Sequence, residues 1–252
     1  MTINTQPTAI MLVIGNEVLS GRTKDKNIGW VAEQLTNHGI KLVEARIIMD
    51  DHDTIVETIR KLSKEVDYVF TSGGIGPTHD DITTSAVAKA FNVPVLRNEE
   101  ALRRLKNHYK GTGIELNSAR LKMADIPEGA LLIDNPVSAA PGFNIENVFV
   151  MAGVPKIMQA MLDGILKNIK SGSKMVSISI ACKIGEGNLA QELQNIENSD
   201  DNIEIGCYPW FKSGVIGTNI VVRSLNKDSC QRAASKVKNF IKTFGETPEI
   251  IE

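Results

Sequence analysis

Short apolar runs alternate with helix-type periodicity along residues 9–91. The run Ala9–Ile14 is apolar throughout and stops at Gly15, a pattern typical of a strand buried on both faces. Gly39 stands where the following helix is expected to end, because glycine adopts a positive φ without strain. The apolar residues of that helix recur at the i, i+3, i+4, i+7 spacing of one helix face: Ile28, Val31, Ala32 and Leu35.

The same alternation predicts further strands and helices. A second strand is predicted over about 40–49, and Tyr68–Phe70 predicts a third strand that leads into a glycine-rich turn. Asp53 is the predicted cap of the helix between them. Downstream we expect one helix over about 99–125, a core strand at 148–150, and a helix with an apolar face formed by Met158, Met161, Leu162, Ile165 and Ile169. Such alternation predicts an α/β fold with a largely parallel sheet.

The hydrophobic pattern changes after Ser171-Gly172-Ser173. Apolar residues then alternate strictly with their neighbours, as in a sheet covered on one face: Val176, Ile178, Ile180 and Cys182. The remaining pattern is typical of a helix, strands over 203–207 and 215–223, and a final helix, the layout of a small split βαβ unit. We therefore predict two domains, residues 1–171 and residues 172–252.

The composition fits a globular protein and limits its partners. Of the 252 residues, 42% are apolar and 23% are charged, so the chain can bury a substantial core. The formal charge of -2 gives no general attraction for polyanions, so no nucleic-acid partner is expected. We expect no membrane contact and a cytoplasmic location, because no apolar run reaches the roughly 18 residues of a membrane span. The three cysteines are expected to be reduced core thiols: Cys182, Cys207 and Cys230.

Candidate chemistry is concentrated in the turn after the third predicted strand. Two adjacent glycines, Gly73 and Gly74, and a third at Gly76 let the backbone approach a ligand closely and direct its N–H groups inward. The helix start that follows adds unpaired N–H groups and the positive end of its dipole. We interpret this segment as an anion-binding turn, because hydroxyls and carboxylates surround it: Thr71, Ser72, Thr78, Asp80, Asp81, Thr83 and Thr84.

Asp80 and Asp81 are candidates for metal binding or acid–base chemistry. Mg²⁺ reconciles carboxylates with a phosphate, because it accepts one or two carboxylates together with phosphate oxygens and water. The alternative is that one of the pair only caps the helix. Since loops after parallel strands converge, Asp50 is expected to meet Asp81 across the site, unless it only begins the next helix. His79 has no identifiable partner and is interpreted as auxiliary.

The order of several motifs resembles the CinA-like branch of the MoaB/Mog molybdopterin-binding family. The motifs span about residues 9–170: Gly15-Asn16-Glu17-Val18-Leu19-Ser20-Gly21, Lys24-Asp25-Lys26-Asn27, Thr71 to Asp81, Asn135-Pro136-Val137, Ala140-Pro141-Gly142-Phe143 and Gly153-Val154-Pro155. The segment 204–209 is similar to the small α/β domain that follows in such proteins. The resemblance is to the short form, without the deamidase domain of longer relatives.

The resemblance implies a three-layer α/β fold that binds molybdopterin, adenine nucleotides or related pyrophosphates, and it implies a homo-oligomer. It gives Asp50 and Asp81 the catalytic role, and it gives Asp80 and Asp81 a divalent metal, Mg²⁺, Mn²⁺ or Co²⁺. The ligand-binding residues that it implies are Gly15, Asn16, Glu17, Asn27, Ser72, Gly73, Gly74, Gly76, Thr78, Ser138, Pro141, Gly142, Gly153 and Pro155.

Three functions are compatible with this resemblance. The first is metal-dependent hydrolysis of a nucleotide pyrophosphate such as ADP-ribose or FAD, the second is molybdopterin adenylyl transfer, and the third is non-catalytic binding of a pterin or nucleotide. Several positions depart from the CinA-like pattern, which usually has Thr at 16, Gly-Thr at 138–139, Pro at 152 and Glu at 157. These departures keep the binding module open as an alternative.

Overall fold

The computed structural model describes residues 6–251, which form two compact units. The larger unit ends at Gly172 and the smaller one begins at Ser173. Residues 1–5 and 252, which belong to the two predicted domains, lie outside the described residues. No helix between residues 6 and 251 combines the length and the hydropathy that a bilayer span requires.

The larger unit carries strands β1 to β8 and helices α1 to α7. Its strands are β1 Thr8–Ile14, β2 Lys41–Ile48, β3 Tyr68–Ser72, β4 Val95–Arg97, β5 Asp125–Pro127, β6 Leu131–Ile133, β7 Gly142–Ile145 and β8 Val148–Met151. Its helices are α1 Asn16–Leu19, α2 Ile28–Asn37, α3 His52–Leu62, α4 Thr83–Phe91, α5 Glu99–Tyr109, α6 Ser118–Leu121 and α7 Pro155–Leu166, and a 3₁₀ helix covers Lys122–Ala124.

Six of these strands form one sheet in the order β2-β1-β3-β8-β7-β6. The first four are parallel, and β7 and β6 are antiparallel to their neighbours. Strand β1 is buried on both faces: Leu12 belongs to a core with residues of α3, α4 and α5, and Met11 belongs to a core with residues of α2 and α7. Helices therefore cover both faces, which confirms the predicted three-layer, mostly parallel α/β fold.

Two local predictions in this unit are wrong. The predicted helix over 99–125 stops at Tyr109, because Gly111 and Gly113 adopt φ values of 77° and 73° that no α-helix accepts. The cap of α3 is Asp51 and not Asp53: Asp51 Oδ1 accepts the N–H of Thr54 at 2.9 Å. The cap therefore lies two residues earlier than the predicted position, and the helix begins at His52.

The smaller unit is an antiparallel sheet with helices on one face. Its elements are β9 Val176–Cys182, a 3₁₀ helix Glu186–Asn188, α8 Ala190–Asn198, β10 Ile203–Lys212, β11 Val215–Ser224, α9 Lys227–Lys242 and β12 Glu249–Ile251. The strand order β10-β11-β9-β12 places β11 between β9 and β10, which confirms the split βαβ layout. The sequence prediction missed β12 and ended β10 five residues early, because most residues of β12 and of the last half of β10 are exposed.

All three cysteines are free thiols, but one is not in the core. Cys182 and Cys230 are buried, and burial raises the pKa of both thiols, which makes them poor nucleophiles. Cys207 is exposed, because it lies on β10, the edge strand of the smaller sheet.

Candidate functional site

A crevice forms where the order of the parallel strands reverses. The chain passes from β1 to β2 on one side of β1 and then returns to β3 on the other side. Ligands of open α/β sheets bind beyond the carboxyl ends of the strands at such a point. A cavity of about 610 Å³ lies there, lined by Ile14 at the end of β1, Gly73 after β3 and Gly153 after β8.

The glycines of the turn are required by close contacts within the protein. Gly73 has a φ of 110°, and a Cβ atom on it would overlap the carbonyl oxygen of Ile14. Gly74 has a φ of 68°, and a Cβ atom there would overlap Oγ1 of Thr83. A Cβ atom on Gly76 would lie 2.6 Å from Oδ2 of Asp81. The turn is therefore packed between β1 and the start of α4, with its backbone on the cavity wall.

Three successive N–H groups of this turn are available to a ligand. Gly73 N–H donates to the carbonyl oxygen of Met151 at 3.1 Å. The N–H groups of Gly74, Ile75 and Gly76 donate to no acceptor among residues 6–251, and all three residues line the cavity. Consecutive unpaired N–H groups with positive-φ glycines form concave anion-binding sites.

The acidic end of the turn is closed by its own hydrogen bonds. Asp81 Oδ2 accepts the N–H of Thr78 at 2.8 Å and also the Thr78 hydroxyl. The Thr78 hydroxyl, followed by the N–H of Asp80, lowers the pKa of the Asp80 carboxyl, with smaller contributions from His79 and Lys122. Both carboxylates line the cavity.

Asp50 links the loops that follow β2 and β1. Its Oδ2 accepts the N–H of Asn16 at 2.7 Å, and the N–H of Asp50 donates to Asn16 Oδ1 at 3.4 Å. Asp50 lines the cavity together with Glu17 and Thr23. It does not cap the next helix, since Asp51 does so, and it lies on the same cavity as Asp81.

Asn27 joins the ends of two strands from behind the cavity wall. Its Nδ2 donates to the carbonyl oxygen of Gly153 at 2.9 Å and to Oγ of Ser72 at 3.3 Å. Asn27 and Ser72 are buried, so they hold the loops after β3 and β8 together and do not form the cavity surface.

The loop before β7 is held by a single asparagine. Asn135 Nδ2 donates to Ser138 Oγ at 2.7 Å and to the Ala140 carbonyl at 2.8 Å, and its Oδ1 accepts the N–H groups of Val137 and Ser138. Asn135 and Ser138 line the cavity, and Ala139 adopts a φ of 61°, which favours glycine.

Most, but not all, of the predicted site residues lie on the cavity. Those that line it are Glu17, Asp50, Gly73, Gly74, Gly76, Asp80, Asp81, Ser138, Gly153 and Pro155. Those that do not line it are Gly15, Asn16, Asn27, Ser72, Thr78, Pro141 and Gly142. Gly142 serves the sheet, since a Cβ atom on it would overlap the Val150 carbonyl.

The predicted ligand-binding residues omit the apolar part of the site and one lysine, although positions 152 and 157 are among the departures from the CinA-like pattern. The cavity is also lined by Ile14, Thr23, Ile75, Pro77, Met123, Asn135, Ala140, Ala152, Val154 and Ile157. Ile75, Pro77, Asn135, Ala140 and Val154 fall inside the motifs, which was a usable signal, whereas nothing in the sequence pattern marks Met123. Lys122 Nζ donates to the carbonyl oxygens of Thr78 at 2.9 Å and Asp81 at 2.6 Å.

The charges on the cavity wall are all negative. Four carboxylates line it, Glu17, Asp50, Asp80 and Asp81, and its lining residues include no lysine, arginine or histidine. Within residues 6–251, no group of three or more His, Cys, Asp or Glu side chains is arranged to hold a metal ion by itself. The opposing positive features are the unpaired N–H groups and the first turn of α7, which begins at Pro155 on the cavity.

Comparison with known proteins identifies families, relatives and a solved structure that this chain is similar to. Residues 10–171 match a family described as "Probable molybdopterin binding domain", and residues 174–245 match one described as "FAD synthase, middle domain". A protein of Archaeoglobus fulgidus is 34% identical over 94% of this chain and 96% of its own length. A CinA-like protein of Syntrophus aciditrophicus is 32% identical over 80% of this chain, which spans half of that relative. The crystal structure of the protein CinA with unknown function from Thermoplasma acidophilum is 37% identical, covers 65% of this chain and 98% of that chain, and superimposes with a TM-score of 0.61.

Proposed function

Since the chain belongs to the MoaB/Mog-like family of "Probable molybdopterin binding domain" proteins, in its CinA-like branch, we propose that the cavity binds a phosphorylated pterin or nucleotide. The observation that carries this proposal is the row of unpaired N–H groups at Gly74, Ile75 and Gly76 on the cavity wall. Hydrogen bonds from backbone N–H groups to an ionised phosphate are charge-assisted and about twice as strong as neutral ones. The phosphate is therefore assigned to these three groups.

The apolar wall supports a ring-containing ligand. Ile14, Ile75, Met123, Val154 and Ile157 line the same cavity as the N–H groups. Sites for small molecules combine apolar walls with a few polar groups that fix the orientation of the ligand. A pterin or a nucleobase with an attached phosphate has this division into a flat ring and an anionic end.

A divalent cation is part of the proposal, because the side chains that line the cavity would repel a phosphate. Asp80 and Asp81 are the carboxylates nearest in sequence to the phosphate-binding turn, and they are proposed to hold the cation. Mg²⁺ commonly uses one or two protein carboxylates, substrate phosphate oxygens and water, which fits a site without a ready-made protein cage. When bound, such an ion neutralises charge on the phosphates and on the products that form.

We further propose that the bound ligand is a nucleotide pyrophosphate such as ADP-ribose or FAD, and that it is hydrolysed. A water oxygen forms a bond to one phosphorus, the bridging P–O bond breaks, and two phosphate monoesters leave. One carboxylate oxygen of Asp50 is used by the Asn16 N–H, and the other is proposed to accept the proton of the attacking water. Non-catalytic binding is the alternative, and the use of Asp50 Oδ2 and Asp81 Oδ2 in local hydrogen bonds favours it.

The test is incubation of the purified chain with ADP-ribose, FAD or ATP, with Mg²⁺, Mn²⁺ or Co²⁺ or with EDTA. Release of a mononucleotide that requires the cation supports hydrolysis. A thermal shift with ligand but without release supports the binding module. Turnover of ATP only when molybdopterin is added would instead indicate adenylyl transfer, and failure of every ligand to bind contradicts the proposal.

Asp50→Asn tests the role given to this carboxylate, and Asp53→Asn is its matched control. Asparagine at position 50 can still accept the Asn16 N–H, so the loops should keep their contact. Asp53 lies in the same segment with 95% of its side chain exposed. We expect Asp50→Asn to lower kcat by about 100-fold or more, as for loss of a general base, while Asp53→Asn leaves it unchanged. Equal rates for both variants would remove Asp50 from the chemistry.

A further inference from the structure

Lys122 joins two segments of the larger unit that are distant in the chain. Its Nζ donates to the carbonyl oxygen of Thr78, 44 residues away, and to that of Asp81, 41 residues away. Hydrogen bonds from an ammonium group are charge-assisted and stronger than bonds between neutral groups. These two bonds connect residues 78–81, the acidic turn, to the 3₁₀ helix Lys122–Ala124.

The turn that Lys122 contacts is otherwise closed upon itself. The N–H of Thr78 and its hydroxyl bond to Asp81 Oδ2, and the N–H of Asp81 donates back to the Thr78 carbonyl at 3.3 Å. Among residues 6–251, the two bonds from Lys122 are the hydrogen bonds that join Thr78 and Asp81 to another element. Lys122 therefore supplies the hydrogen bonds between the segment that carries Asp80 and Asp81 and the 3₁₀ helix.

Lys122 belongs to a segment that is anchored in the core of the larger unit. Its neighbour Ala124 is fully buried, and the Ala124 carbonyl accepts the N–H of Asn98 at 2.8 Å. The intervening Met123 lines the cavity. The 3₁₀ helix thus lines the cavity through Met123. Through Lys122 it is hydrogen-bonded to the acidic turn.

We infer that Lys122 is a positioning residue of the proposed site, which holds Asp80 and Asp81 at a fixed distance from the phosphate-binding N–H groups of Gly74 to Gly76. This inference rests on the proposed function for its ligand, but the contact it invokes exists in the free protein. Lys122 does not line the cavity and is given no contact with the ligand.

A positioning role and a simple charge effect predict opposite results for cation binding. If Lys122 only added positive charge near the carboxylates, its removal would strengthen cation binding, because like charges repel. If Lys122 holds the carboxylates in place, its removal weakens cation binding, because the ligands must then be ordered at the moment of binding. The sign of the change in Lys122→Met therefore separates the two roles.

The experiment titrates Mn²⁺, with AMP present, into wild type, Lys122→Met, Lys122→Arg and the control Lys106→Met, whose side chain is exposed on α5. Hydrogen exchange of the Thr78 and Asp81 N–H groups is measured without any ligand. We expect Lys122→Met to weaken Mn²⁺ binding about tenfold and to speed hydrogen exchange at the Thr78 and Asp81 N–H groups. Lys122→Arg should restore most of the Mn²⁺ affinity and most of the protection from exchange. Lys106→Met should resemble wild type in both measurements.

Tighter or unchanged Mn²⁺ binding in a folded Lys122→Met protein overturns the inference, and so does exchange at Thr78 and Asp81 equal to wild type. Failure of Lys122→Arg to restore either property also overturns it, since a charged hydrogen-bond donor at position 122 would then not be what holds the turn. If wild type binds neither AMP nor Mn²⁺, the proposed function fails, and the exchange measurement still decides whether Lys122 holds the turn.

Discussion

Replacing Gly74 with alanine tests how the phosphate-binding turn is packed. The added methyl group would point at the side chain of Thr83 and not into the cavity, because the Cβ position overlaps Thr83 Oγ1 and lies 3.1 Å from Thr83 Cβ. Thr83 is fully buried at the start of α4, and its N–H donates to the Gly74 carbonyl at 3.0 Å. The substitution therefore strains the connection between the turn and α4.

Two costs combine in Gly74→Ala. An L-residue at a φ of 68° loses roughly 1–2 kcal/mol relative to glycine, and overpacking against Thr83 adds about 1–3 kcal/mol. In a Thr83→Ala background the hydroxyl is absent and the remaining 3.1 Å contact needs a shift of only a few tenths of an ångström. The cost should then fall to the backbone component, so the two substitutions couple by about 1–3 kcal/mol.

The assay is urea unfolding of wild type, both single variants and the double variant, all in a Trp210→Phe background so that Trp30 reports on the larger unit. We expect the unfolding free energy lost through Gly74→Ala to be smaller in the Thr83→Ala background. Nucleotide affinity, measured by calorimetry, should recover in parallel in the double variant. An equal loss of stability in both backgrounds would refute the contact with Thr83. Recovered stability without recovered affinity would mean that the Gly74 N–H has been moved.

Three further results are expected. Asp81→Asn should weaken binding of a nucleotide with Mg²⁺ by at least about tenfold. The melting temperature should change little, because asparagine can still accept the Thr78 N–H. Full affinity with a large loss of melting temperature would make Asp81 structural. The Thr8 N–H and hydroxyl lower the pKa of Asp67 below 3.8. This carboxylate therefore stabilises the fold above pH 3.8 and loses that effect as the pH falls through its folded pKa. The difference in unfolding free energy between wild type and Asp67→Asn should shrink in acid, and a constant difference contradicts this. Sedimentation at micromolar concentration should show a homo-oligomer, because the paired Phe211 and Ile216 are 71% and 58% exposed near the end of the β10–β11 hairpin. A single species of 27.5 kDa would exclude it.

The hydrophobic pattern predicts the central sheet well for a physical reason. Ala9–Ile14 and Tyr68–Phe70 are buried strands whose apolar runs reflect burial on both faces of a parallel sheet. β12 has no comparable signal, since Ile250 is 64% exposed and the strand exists only by pairing with β9, which lies about 70 residues earlier. Short, exposed strands such as β4 depend on their partners and not on local pattern.

The candidate site likewise has one part that the sequence predicts and another part that depends on tertiary contacts. The glycine-rich turn is local, so Gly73, Gly74 and Gly76 and the neighbouring Asp80 and Asp81 could be assigned to one site from the sequence. Lys122 and Met123 reach the site through tertiary contacts across about 40 residues, and no spacing rule indicates them. The contact of Gly74 with Thr83 has no sequence signal either, because a turn glycine has the same pattern whether a ligand or a buried side chain approaches it.

The glycine-rich turn follows β3 without a connecting loop, and this limits the insertions and deletions that β3 can accept. The residues of β3 pair with β1 on one side and β8 on the other. One inserted residue would displace the glycine-rich turn by about 3.3 Å and exchange the two faces of every following strand residue. The segment 110–117 between α5 and α6 belongs to no strand, so an insertion there leaves the turn in place. Length variation among relatives is therefore expected in 110–117, whereas β3 should keep its length even where its side chains differ.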